Sequence, residues 1–129
     1  MTWSSRIFFN RGNERFQIGN VSGALSDISK AIELSPRNSS FYLARATTLT
    51  RIGRPEEALS DLETAEQIIP RDEARIWFQR FRALYALQHP GAEDALQTAA
   101  RLGSFSARHV LEKRRSNGAD VEVLTEGTR

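Results

Sequence analysis

The chain has 129 residues and a mass of 14.5 kDa, with 40% hydrophobic and 26% charged residues. That is enough for one domain that buries roughly two thirds of its unfolded surface, and too little for two. With no Cys, a disulfide framework, a thiolate zinc site and a thiol nucleophile are excluded. Sixteen of the 18 basic residues are Arg and the pI is near 9.5, yet the net charge is only +2, a weak field for nucleic acid.

The N-terminal stretch Trp3-Ser4-Ser5-Arg6-Ile7-Phe8-Phe9 has no basic start followed by an apolar leader, and no later window approaches the ~18 apolar residues of a membrane span. The expectation is a soluble cytoplasmic protein. The first helical pattern runs from Phe8 to Ile18 and stops at Gly19-Asn20; a second runs from Ala24 to Leu34, before Pro36. Ser39-Ser40 reads as an N-cap. Tyr42, Leu43, Ala46, Leu49 and Ile52 then repeat the three- and four-residue spacing up to Gly53. Pro55-Glu56-Glu57 opens the next helix, Pro because its missing N–H is unused there and the acids because they face the positive end of the helix dipole. That helix carries Ala58, Leu59, Leu62, Ala65 and Ile68 and closes before Pro70.

These patterns are one unit written twice. Residues 5–38 overlie 39–72 without a gap: Ser5 on Ser39, Arg11 on Arg45, Ile18-Gly19 on Ile52-Gly53, Ala24-Leu25-Ser26-Asp27 on Ala58-Leu59-Ser60-Asp61, Ala31 on Ala65, and Pro36-Arg37 on Pro70-Arg71. A third unit, 73–103, is degenerate. An offset of 34 puts Ala92 and Ala99 on Ala58 and Ala65; an offset of 37 aligns Arg82-Ala83 with Arg45-Ala46 and Glu93-Asp94-Ala95-Leu96 with Glu56-Glu57-Ala58-Leu59. The second is preferred, with the unit's first helix longer by nearly a turn. Gly103-Ser104 then predicts a stop and an N-cap before a terminal helix over 104–115, with Phe105, Val110 and Leu111 inward and Arg108, Glu112, Lys113, Arg114 and Arg115 outward. Residues 116–129, with Asn117-Gly118, are expected to be a flexible tail.

The bulky Phe8 and Tyr42, the small Gly12 and Ala46, the turn glycines Gly19 and Gly53, Ala24/Ala58, Ala31/Ala65 and the closing Pro36/Pro70 resemble the tetratricopeptide repeat (TPR) family. Arg15 departs from the pattern where a buried apolar residue is usual, which predicts looser packing there. The resemblance implies an all-α, right-handed solenoid of antiparallel helix hairpins, about three repeats plus a capping helix, with the first helix of each repeat lining a concave groove. That face would carry Arg6, Phe9, Asn10, Asn13, Phe16 and Gln17 in the first unit and Ser40, Leu43, Ala44, Thr47, Thr50 and Arg51 in the second. In the third, Trp77, Phe81 and Leu84 face the groove in both alignments. The expected contacts to a partner are Phe9, Asn13, Phe16, Thr47, Arg51, Trp77, Phe81 and Leu84, with burial of Trp77 and Phe81 in a core as the competing reading.

Nothing in the residues points to catalysis, a metal or a cofactor. His89 and His109 lack carboxylates at ligand spacing, and there is no phosphate loop or nucleophile elbow. The function implied is a non-enzymatic protein-interaction scaffold that takes a peptide or helix of a partner. Family members that clamp acidic chaperone tails present Lys and Asn in the first repeat, Asn in the second, and Lys and Arg in the third. Here the matching positions are Phe9, Asn13, Ala44, then Trp77 and Phe81, or Ala74 and Phe78 at the other offset, which argues against that mode. Two alternatives remain: self-association, with the groove filled by the Val121–Leu124 segment or a neighbour's cap helix, and nucleic-acid binding by Arg101, Arg108, Lys113, Arg114 and Arg115. The second is the weaker, because a charged face on a terminal helix is ordinary.

Overall fold

The computed structural model describes residues 3–69 and 73–127, with side chains through Gly118. The closing Pro70 of the second unit and its neighbour Arg71 lie outside the described residues. The chain folds as α1 (Trp3–Gln17), α2 (Val21–Leu34), α3 (Ser39–Arg51), α4 (Pro55–Ile68), α5 (Glu73–Ala86), α6 (Ala92–Arg101) and α7 (Phe105–Gly127), with no strand among the described residues. Helices α1/α2, α3/α4 and α5/α6 pair as hairpins, each hairpin packs on the next, and α7 rests on α6. This is an all-α helical-repeat solenoid.

Side-chain caps set where the helices begin. Asn20 accepts from the Gly23 N–H at 3.0 Å, starting α2 three residues before Ala24, and Asn38 accepts from the Ser40 N–H at 3.0 Å. Asn38, not Ser39-Ser40, is therefore the cap of α3. Each hairpin turn closes with the same bond, from the residue after a left-handed position back five residues: Asn20 N–H to Arg15 O, Arg54 N–H to Leu49 O and His89 N–H to Leu84 O. Gly19 (φ 89°) and Gly53 (φ 83°) supply the left-handed residue in the first two, and Gln88 (φ 55°) takes it in the third.

These turns fix the alignment of the third unit. Gln88 sits 35 residues after Gly53, and Trp77, Arg80 and Leu84 likewise follow Tyr42, Arg45 and Leu49 by 35. Pro90-Gly91 then adds two residues to the turn, so the first bond of α6, Ala95 N–H to Gly91 O, lies 37 after its counterpart Ala58 N–H to Arg54 O. A single offset of 34 or 37 is replaced by 35 for α5 and 37 for α6.

The core lies within the hairpins and between successive units. Ile28, Ala31 and Ile32 of the first unit meet Phe41 of the second. Leu43, Ala46, Leu49, Ala58, Leu62 and Ala65 of the second meet Ile76 and Ala83 of the third, and Phe81, Ala92, Ala95, Leu96 and Ala99 close on Ala107 of α7. Each cluster thus joins the packed helices of one unit to the element that follows.

Within the first two hairpins a buried carboxylate ties the helices. Asp27 accepts from Arg11 at 2.8 and 2.9 Å and lies 3.2 Å from Arg15; Asp61 accepts from Arg45 at 2.7 and 2.8 Å. Arg15, half-buried, thereby spends its charge on Asp27 where an apolar residue is usual. The hydrogen bond from Arg11, aided by its charge, holds the Asp27 carboxyl below the usual range against the opposing effect of burial. In the third hairpin the corresponding position is Thr98, and Arg80 instead reaches back to Glu66 on α4.

At the C-terminal end Ser104 Oγ accepts from the Ala107 N–H at 3.1 Å, which turns Ala107 into the core and Phe105 outward, 83% exposed, contrary to its expected inward position. Val110 and Leu111 pack inward as expected, and every residue from Glu112 to Gly118 is exposed. The helix continues past the 104–115 cap to Gly127, because Ser116-Asn117-Gly118 introduces no positive φ and no proline to stop it.

Candidate functional site

The concave face is built by α1, α3 and α5 with the loop entering α7. Helical spacing brings Phe9 and Asn13 of α1, Ser40, Leu43, Ala44 and Thr47 of α3, and Arg75, Phe78, Gln79 and Arg82 of α5 to one groove of about 590 Å³, closed at one end by Ser104 and Ser106. The α3 and α5 contributions are offset by 35 residues throughout, in agreement with the turn geometry. Phe9 is anchored against Phe41 at 4.7 Å between ring centres, so its position is fixed by the core behind it.

The groove is amphipathic and basic. Phe9, Leu43, Ala44 and Phe78 give it apolar ground; Arg75 and Arg82 supply cations, and no described carboxylate lines it. Arg82 is exposed and makes no ion pair among the described residues. Gln79 Oε1 is buried without a hydrogen-bond partner, a polar atom that a donor from a bound segment would satisfy. Asn13, Ser40, Thr47, Ser104 and Ser106 add hydrogen-bonding groups along the walls.

Of the eight residues expected to touch a partner, the structure gathers three, Phe9, Asn13 and Thr47, in this groove. Phe16 and Arg51 stack on each other, the guanidinium 4.9 Å from the ring centre, and join α1 to α3 outside the groove lining. Trp77, Phe81 and Leu84 do not line this groove: Phe81 is only 7% exposed in the cluster shared with α6 and α7, and Trp77 and Leu84 pack, partly buried, against that cluster. The reason is the offset of 35, which makes Trp77 the counterpart of Tyr42 and Phe81 that of the buried Ala46. Trp77 carries Arg80 over its ring at 4.7 Å, as Tyr42 carries Arg45 at 5.8 Å and Phe8 carries Arg11 at 5.5 Å.

Arg75, Phe78, Gln79 and Arg82 are therefore the groove residues that the sequence alignment missed. The signal that finds them is the thrice-repeated aromatic-x-x-Arg: Phe8/Arg11, Tyr42/Arg45 and Trp77/Arg80. With that alignment the five positions that matter for an acidic-tail clamp read Phe9, Asn13, Ala44, Arg75 and Gln79, one cation where the clamp has three. Among the described residues no group of three His, Asp or Glu could hold a metal ion, and no helix is long and apolar enough to cross a membrane.

The tetratricopeptide repeat family profile matches residues 28–67. No curated protein matches the chain. Among solved structures the fold is similar to the first TPR of Spaghetti (RPAP3) bound to the HSP90 peptide SRMEEVD, at 22% identity over 92% of this chain and 96% of that one, TM-score 0.76. It is similar also to the Sgt2 TPR domain of Aspergillus fumigatus, at 24% identity over 92% and 83%, TM-score 0.75. The Yersinia enterocolitica type III secretion translocator chaperone SycD shares 18% identity over 98% and 96%, TM-score 0.75. The repeat profile over residues 28–67 and a fold shared along nearly the whole length support a small tetratricopeptide-repeat-like protein.

Proposed function

We propose that the chain is a non-enzymatic protein-interaction module whose concave groove receives an extended or helical segment of a partner protein, and that this segment is apolar with acidic residues. The observation that carries the reading is the groove's make-up: Phe9 and Phe78 as apolar ground beside Arg75 and Arg82, with no described carboxylate in the lining. An acidic residue would give Arg82 a counter-charge, and a basic segment would be repelled. The bound HSP90 peptide in the Spaghetti structure is a precedent for a TPR domain taking an acidic segment. A clamp for a chain-terminal carboxylate is disfavoured here, because Phe9 and Gln79 stand at two of its three cationic positions and Ala44 at one of its two Asn positions.

The test is fluorescence anisotropy with a library of labelled twelve-residue peptides in which Asp or Glu alternates with Leu, Val or Phe. Arg82→Glu and Phe78→Ala should each weaken the tightest peptide at least tenfold, about 1.4 kcal/mol, with far-UV circular dichroism unchanged. Unaltered affinity in both folded variants would remove the groove from the reading. A cytoplasmic location and a scaffold role belong to the same proposal.

A further inference from the structure

The sign of the charge reverses along α7. Its first part carries Arg108, Lys113, Arg114 and Arg115, whereas residues 119–126 hold Asp120, Glu122 and Glu126 interspersed with Val121, Val123 and Leu124 and contain no basic residue. This is the chemistry proposed above for a groove ligand. The two features are complementary: an acidic, apolar segment, and a groove presenting Arg75, Arg82, Phe9 and Phe78.

Geometry decides which copy is served. α7 is one helix of 23 residues, about 34 Å long at 1.5 Å per residue, and it begins at the groove, where Ser104 and Ser106 contribute to the lining. Residue 119 lies about 21 Å along the axis from Phe105. From Glu112 to Gly118 the helix is exposed on all sides. An unbroken helix thus carries the acidic segment about 21 Å or more from the end of the groove at which the helix begins.

We propose that residues 119–126 dock in the groove of a second copy of this chain, so that the protein is a ligand of its own peptide site. The inference rests on the reading of the groove as a site for acidic, apolar segments. The contact is head to tail; it either closes into a ring or reciprocal dimer or propagates as an open chain. Because it depends on exposed charges, it weakens as salt rises.

Sedimentation velocity on the full-length chain tests this. The wild type should sediment faster with rising concentration at low salt. Asp120→Lys/Glu122→Lys/Glu126→Lys should remain monomeric, and so should Arg82→Glu, alone or with Arg75→Glu; circular dichroism checks that each variant is folded. An equimolar mixture of the tail-reversed and doubly groove-reversed chains should associate again, since their charges are now complementary in trans. A wild type that is monomeric at every soluble concentration overturns the inference, and so does association that survives tail reversal. If that monomer still binds the labelled acidic library peptide, the groove reading stands and only the second-copy occupant fails; if no library peptide binds, the groove reading itself fails. A monomer whose affinity for the library peptide rises on tail reversal shows the segment folding onto its own groove, which also overturns docking between copies.

Discussion

Gly12 and Gly118 are both helical glycines, yet Ala should act on them with opposite sign. A Cβ on Gly12 would lie 2.9 Å from Ile28 Cγ1, 3.2 Å from Asp27 Cβ and 3.3 Å from the Ala24 carbonyl oxygen. Comfortable carbon contacts need about 3.5–4.0 Å, so α1 and α2 would have to part by about half an ångström or more, or Ile28 leave its rotamer. Sideways relief is blocked by the backbone of α2 on one side and Asp27, held by Arg11, on the other. Such overpacking costs about 1–3 kcal/mol, offset by about 1 kcal/mol from the better helix propensity of Ala. The net loss is about 1 kcal/mol, or about 4 °C in Tm for a chain of this length. At Gly118 nothing lies within 4 Å of the added methyl, so propensity acts alone: far-UV ellipticity should strengthen with no loss of Tm. Urea and thermal unfolding followed by circular dichroism measure both. A Gly12→Ala chain more stable than wild type by the full propensity gain would refute the close approach of α1 and α2. An unchanged ellipticity in Gly118→Ala would refute helix continuation past Arg115.

Gln88 holds a left-handed conformation that Gly takes in the first two hairpin turns; Gln88→Gly should stabilise the chain by about 0.5–1 kcal/mol, read as a rise in urea midpoint at unchanged m. Asn38→Ala removes the cap of α3 and should cost about 1 kcal/mol in the same assay. Asp27 titrates below the ordinary carboxylate range in the folded chain, mainly through its hydrogen bond from Arg11. Its contribution is therefore fully present above the unfolded value of about 3.9 and is lost as the pH falls through the lower folded value. Asp27→Asn should be less stable at neutral pH and show a flatter decline below about pH 4 in stability–pH curves.

The first two repeats were readable because their signals are local. Gly19 and Gly53 mark turns that require positive φ, Pro55 marks a first helical turn, and Ala24, Ala31, Ala58 and Ala65 mark helix faces too close for larger side chains. The third repeat was not, for three physical reasons. Gln88 occupies the left-handed turn position without being glycine, Pro90-Gly91 adds two residues at the turn, and Thr98 stands where Asp27 and Asp61 bridge their hairpins. Identity matching alone then has no anchor, and it slid the groove face of α5 onto Trp77 and Phe81. The abundance of aromatics on α5 is explained by its two packed sides: Ile76 and Ala83 face the second unit, while Phe81, with Trp77 and Leu84 packed beside it, faces α6 and α7. The concave face of the first two units was legible from helical spacing. Arg82 was not, since its role depends on which side of α5 remains uncovered.

The departure at Arg80 has a mechanical meaning. In the first two hairpins the Arg–Asp bridge is internal and stiffens a unit without fastening it to its neighbour. In the third the same guanidinium crosses to Glu66 and rivets the last hairpin to the middle one. The two seams are therefore built differently. The leading joint holds by Phe41, Ile28 and Ile32, with Phe9 against Phe41, the Arg51 guanidinium over Phe16 and the Tyr42 hydroxyl donating to the Pro36 carbonyl, whereas the trailing joint adds an ion pair to its apolar seal. Of the two seams, the trailing one is thus the one that dissolved salt can screen.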